Sequence, residues 1–105
     1  MKTIKRCPAH PGRILKNLYL KPLKITNAEL SDILGISPKD VSEIVNEKKT
    51  LTSDMAIRLS HVFPNSTPES WLALQKNYDL WQVLNNSDGW QSVQPVSNME
   101  SHLEI

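Results

Sequence analysis

An all-α fold of five helices around one core, followed by a short C-terminal tail, is what these 105 residues predict. Three observations carry that reading. Helix-capping residues recur along the chain, apolar residues recur at helical spacing between them, and Gly35-Ile36-Ser37 separates two capped segments by only three residues. A chain of this length has room for one domain and a tail, and hardly for two independent cores.

The first helix runs from about Pro11 to Tyr19. Pro11 takes a first-turn position where a missing N–H is tolerated, and Ile14, Leu15 and Leu18 share a face. Lys21-Pro22 is expected to end it. Thr26-Asn27-Ala28-Glu29 opens the second helix as a capping box, Leu30, Ile33 and Leu34 form its buried stripe, and Gly35 stops it in a left-handed conformation. Ser37 caps the third helix, with Pro38 first, and the helix runs to about Asn46. Thr52 or Ser53 starts the fourth, which carries Met55, Ala56, Leu59, Val62 and Phe63 at helical spacing and ends at Pro64. Thr67-Pro68-Glu69 starts the fifth, where Trp71, Leu74, Tyr78 and Trp81 fall on one face. Asn85-Asn86-Ser87-Asp88-Gly89 breaks the pattern, and Trp90–Val96 reads as a short strand, an arm or a disordered segment. The expected division is a basic arm over 1–9, the helical domain over 10–83 and a tail over 84–105.

Net charge is only +1, but its distribution is uneven. Residues 1–24 contain Lys2, Lys5, Arg6, Arg13, Lys16, Lys21 and Lys24 and no acid; five basic and eleven acidic side chains follow. A basic leading arm on an acidic body suits phosphate contact, and a solvated N-terminus explains the same pattern. The longest apolar runs fall far short of a membrane span, and no signal-peptide apolar region is visible. The single cysteine, Cys7, has no internal partner, which suits a reducing cytoplasm. His10, His61 and His102 lack ligand partners at recognised spacing, so no metal, no cofactor and no enzymatic chemistry is expected.

The informative window is Asn27–Asn46. So short a turn forces two helices to cross steeply, which defines a helix-turn-helix unit. Ser31 is small where the helices touch, Gly35 makes the turn, and Leu30, Leu34, Ile36, Val41 and Ile44 lie beneath. On the third helix Val41, Ile44 and Val45 point one way, while Lys39, Ser42, Glu43 and Asn46 point the other, toward a major groove. Lys39 suits guanine, Asn46 adenine and Glu43 cytosine, and Lys48 and Lys49 stand where a backbone-clamping loop would follow. Residues 38–46 carry one lysine against Asp40 and Glu43, so the arm, Lys48, Lys49 and dimerisation must supply much of the grip, and modest affinity for a half-site is expected.

His10-Pro11-Gly12, the capped helix-turn-helix, Leu51-Thr52 with Met55-Ala56-Ile57-Arg58-Leu59, and Thr67-Pro68-Glu69-Ser70-Trp71-Leu72-Ala73-Leu74-Gln75 resemble HigA antitoxins, VapI-like members of the XRE/Cro repressors. Tyr78-Asp79-Leu80-Trp81 fits as well, and the resemblance covers about residues 8–83. It implies a lambda-repressor-like domain in a homodimer that neutralises HigB, a RelE-like mRNA endonuclease, and represses its own operon on double-stranded operator DNA. It places DNA contacts on Ser37, Pro38, Lys39, Ser42, Glu43 and Asn46, and toxin contact on the basic N-terminal segment with the adjacent helical surface. Pro38 and Glu43 depart from the basic or amide residues usual in the family, and Ser31 from its alanine. The alternatives are a stand-alone helix-turn-helix regulator and an interaction adaptor that does not bind DNA. The apolar surface of the fifth helix around Trp81, Val83 and Leu84 favours dimerisation there, and burial under the tail explains it equally.

Overall fold

The computed structural model describes residues 6–96, so Lys2, Lys5, His102 and tail residues 97–105 lie outside the described residues. The first helix, α1, spans residues 11–23 and does not end at Lys21-Pro22. Pro11–Ile14 is α-helical, Leu15–Leu20 is a π turn, and Lys21–Leu23 is α-helical again. Proline lacks an N–H and its ring crowds the carbonyl four residues back. The helix answers by widening just before it: the Lys21 N–H donates to Lys16 O, five residues back. That shift moves the apolar face. Leu15 and Leu20, five apart, are both buried, whereas Leu18, expected inside, is 63% exposed. Lys24, left-handed at φ 59°, ends α1, with the Ile25 N–H bonded to Leu20 O at 2.9 Å.

Four further helices follow: α2 Asn27–Leu34, α3 Pro38–Val45, α4 Ser53–Val62 and α5 Pro68–Asn86. Their starts follow from the sequence. Thr26, Ser37, Thr52 and Thr67 each accept a backbone N–H three residues on, and the Thr26–Glu29 capping box makes both its bonds. The chain is all-helical over the described residues. Trp90–Val96 is not a strand: Gly89–Ser92 forms a 3₁₀ turn, and the Trp90 indole N–H donates to Val83 O at 3.2 Å. The last helix thus continues three residues past the expected edge of the domain at 83.

Leu30, Ala56 and Leu59 are fully buried at the centre. Leu15, Val41, Leu51 and Trp71 close over them from α1, α3, the α3–α4 loop and α5. Burying a side chain of this size stabilises the fold by about 1.5–3 kcal/mol. Ile33, expected in the stripe of α2, points outward and is 53% exposed, because Leu30, Ser31 and Leu34 already fill that face. Among the described residues no helix is long and apolar enough to cross a membrane, and no group of acids, cysteines and histidines could hold a metal ion.

Candidate nucleic-acid interface

The turn between α2 and α3 is built locally. Gly35 is left-handed at φ 73°, and both its N–H and that of Ile36 donate to Ser31 O, at 2.9 and 3.1 Å. Ser31 is buried where the two helices meet, its hydroxyl turned back onto Ala28 O at 2.7 Å. One long-range brace was not legible from sequence. Arg58 of α4 donates to Leu34 O at 2.7 Å, closing the carbonyl end of α2, while its Nε rests on Asp54 at 2.9 Å.

Beyond the turn, α3 has the two faces its spacing predicts. Val41, Ile44 and Val45 are buried. Ser37, Pro38, Lys39 and Asn46 are exposed, and Ser42 and Glu43 are half-buried on the outer side. Within this set the Ser37 hydroxyl is occupied as a cap on the Asp40 N–H at 3.1 Å, and the Asn46 amide donates to the Ser42 hydroxyl at 3.2 Å. Lys48 and Lys49 follow on the exposed loop, as expected, with different surroundings. Lys49 places its ammonium 2.8 Å from Asp40. Hydrogen bonds from Lys49 and then Ser37 hold the Asp40 carboxyl below its ordinary range, and the same contact raises the Lys49 ammonium. Asp40 therefore meets a cation of its own chain, and the acidity read over residues 38–46 is offset just outside that window. Glu47 is similarly matched by Arg13 at 3.5 Å.

The far end of α3 is shaped by residues whose role was not visible in the sequence. Glu47, left-handed at φ 63°, and Lys48 return their N–H groups to Ile44 O and Glu43 O at 3.0 and 2.8 Å. Gly12 of α1 comes so close that a Cβ there would lie 1.8 Å from the Ile44 carbonyl oxygen. His10, only 3% exposed, caps α1 by accepting the Gly12 N–H on Nδ1 at 2.9 Å. Its ring meets Tyr78 of α5 edge-on at 4.9 Å. Burial lowers its pKa, against the opposing pull of Glu47 and Asp79. From α5, the buried Gln75 accepts the Leu51 N–H at 2.9 Å and donates to Asp79 at 2.9 Å. His10-Pro11-Gly12 and Gln75 are thus the clamps on the loop that follows α3.

Two helices crossing at a glycine turn, the second with a buried apolar side and an open polar side, define a helix-turn-helix protein. The chain belongs to the Helix-turn-helix family, which matches residues 15–70, and it is of XRE type. It is 37% identical to the uncharacterized HTH-type transcriptional regulator YbaQ of Escherichia coli K12, over 98% of this chain and 90% of that one. It is 38% identical to antitoxin HigA-1 of Vibrio cholerae, over 81% and 79%. Among solved structures, Pseudomonas aeruginosa antitoxin HigA with the higBA promoter superposes with a TM-score of 0.75 at 34% identity, covering 85% of this chain and 98% of that one. The resemblance to HigA antitoxins drawn from the sequence is borne out.

Proposed function

We propose that this chain is the antitoxin of a HigBA-type module, repressing its own operon and neutralising a RelE-like mRNA endonuclease by stoichiometric binding. The observation that carries the reading is the outer face of α3, polar and open on a rigid frame, in a chain similar to an antitoxin solved with promoter DNA. Lys39, which has no ion-pair partner among the described residues, takes a guanine; Ser42, Glu43 and Asn46 read neighbouring bases, while Ser37, Pro38, Lys48 and Lys49 meet the backbone. A two-fold dimer sets two such helices about 34 Å apart on a palindromic site. Leu80 and Val83, half exposed along α5, are the apolar residues available to that dimer. The toxin docks on the basic N-terminal segment and the adjacent helical surface, and this chain performs no chemistry.

The test is twofold. Binding of the full chain to its own promoter is followed by fluorescence anisotropy, and the product of the neighbouring reading frame is co-expressed and co-purified. Lys39→Ala should cost about 1–3 kcal/mol on the operator and relax the preference at one base pair. A chain that neither shifts its promoter nor retains that neighbour is not an antitoxin. Retention of DNA binding without any toxin would instead favour a stand-alone regulator, the description that YbaQ carries.

A further inference from the structure

We infer that His10 is a positioning residue for the reading helix and works as its proton-sensitive catch. Neutral, the ring holds the start of α1 against the end of α3; protonated, it lets go, and operator binding weakens. The inference rests on the operator-binding reading above and adds a control to it. The ring is 3% exposed, its Nδ1 accepts the Gly12 N–H at 2.9 Å, and it meets Tyr78 of α5 at 83° between ring planes. Its use as a cap is singular. Helices α2 to α5 start on the hydroxyls of Thr26, Ser37, Thr52 and Thr67, all exposed residues whose side chains do not titrate. Among the described helices, α1 alone starts on a group that changes charge near neutrality, and that group is buried.

Gly12 carries the contact onward. It lies so close to the Ile44 carbonyl that no Cβ fits between them, so the backbone capped by His10 rests directly on the last turn of α3. The same Ile44 oxygen accepts the Glu47 N–H at 3.0 Å, in the turn that ends the helix beside Asn46. A shift at Gly12 therefore passes to the end of α3 that carries Asn46, with no side chain between to absorb it.

The charges around the ring set the direction of the response. Glu47, from the loop after α3, and Asp79, from α5, favour its charged form, as does the backbone of Lys49. Each is engaged elsewhere: Glu47 is shared with Arg13 at 3.5 Å, Asp79 accepts from Gln75 at 2.9 Å, and the Lys49 ammonium is turned to Asp40. Burial outweighs them and keeps the ring neutral near pH 7. Acid reverses the contact. A proton on Nδ1 sets one N–H against another, at a distance that suits a donor and an acceptor, and Glu47 and Asp79 are the acceptors left to the charged ring. Operator binding selects the neutral ring, so the proton leaves on binding and affinity falls as pH drops through the folded pKa.

The full chain is titrated onto its own promoter by fluorescence anisotropy at fixed ionic strength, from about pH 7.5 to 5.5, the span in which histidine changes charge. Wild-type affinity should fall roughly three- to tenfold, tenfold being the response to a pKa that differs by about one between the free and the bound chain. His10→Asn keeps an acceptor for the Gly12 N–H and cannot titrate there, so its affinity should hold across the same span. His61 and His102 are common to both chains and cancel in the comparison. A wild-type profile as flat as the variant's overturns the inference, and so does an equal fall in both. Circular dichroism at the acid end should show the helices intact; their loss would make the effect plain unfolding and overturn the catch as well. Should His10→Asn not fold, NMR titration of the wild type decides. The amides of Gly12 and Asn46 should move with the midpoint of the His10 ring, and amides that stay still overturn the inference. That titration needs no DNA, so a chain that binds no promoter at any pH ends the operator reading while the coupling of His10 to α3 stands or falls on its own.

Discussion

The two ends of α3 are positioned by different means. At its N-terminal end neighbours in sequence do most of the work, with Arg58 as a distant brace on Leu34 O: Ser37 caps Asp40, Gly35 turns the chain, and Thr26 and Glu29 close the start of the preceding helix. At its C-terminal end distant residues do it: Gly12 and His10 from the start of α1, Tyr78 and Gln75 from α5. A reading helix needs both, since an error at either end tilts its polar face. The local end can tolerate the loss of one bond among several short-range ones. The distant end is close-packed and depends on single contacts, so it is the more fragile.

The largest expected effect tests that fragility. Gly12→Ala sets a methyl group against a backbone carbonyl that has no side-chain freedom, and should cost about 3 kcal/mol. Thermal unfolding by circular dichroism would show it as a fall of several degrees or more. Gln75→Leu comes next. It leaves the Leu51 N–H buried without a partner, at about 2 kcal/mol, read as a lower urea midpoint with an unchanged slope. At the local end, Thr26→Ala should cost only about 1 kcal/mol in the same assay. Were Thr26→Ala the most damaging of the three, the contrast between the two ends would be broken.

Two smaller effects sharpen the contrast. Burial of the His10 ring disfavours its charged form and lowers its pKa below the ordinary 6.5, and the hydrogen bond that Nδ1 accepts from Gly12 suits the same neutral ring. A lowered folded pKa means that the unfolded chain binds the proton more readily. Stability contributed by His10 is therefore complete above pH 6.5 and declines as pH falls from there through the folded value. His10→Asn, which keeps an acceptor near the Gly12 N–H, should flatten the melting-temperature profile between pH 7.5 and 5 relative to wild type. The smallest change has the opposite sign. Glu47 adopts a left-handed conformation without being glycine, so Glu47→Gly should gain about 0.5 kcal/mol even after losing the exposed pair with Arg13. A drop in melting temperature would mean that the Arg13 contact outweighs the backbone cost.

The same division explains what the sequence disclosed. Caps, the glycine turn and the alternation of buried and open faces on α3 are relations over three to five residues, and Thr26, Gly35, Ser37 and Val41 announced them. The exposed placement of Lys39, Asn46 and Lys48 was legible for the same reason. The pairing of Lys49 is not legible in the same way, because its partner, Asp40, lies nine residues back, across the end of the helix. Gln75 stands out in no helical periodicity, because a buried amide among apolar neighbours takes its meaning from Leu51, 24 residues away. A regular helical wheel turns Leu18 and Ile33 inward, but α1 does not follow that wheel and the face of α2 is already filled without Ile33. Pro22 reads as a stop by every local rule, and only the packing of Leu20 on the core shows why the helix goes on through it.

That π turn has an evolutionary consequence. A helix with one π turn has the geometry of an ordinary helix that has accepted a single inserted residue, with both flanks left in place. The stretch from Leu15 to Leu20 is therefore where α1 can change length by one residue without disturbing Gly12 at one end or Leu20 at the other. Relatives aligned across this chain should place a one-residue gap there whenever Pro22 is absent.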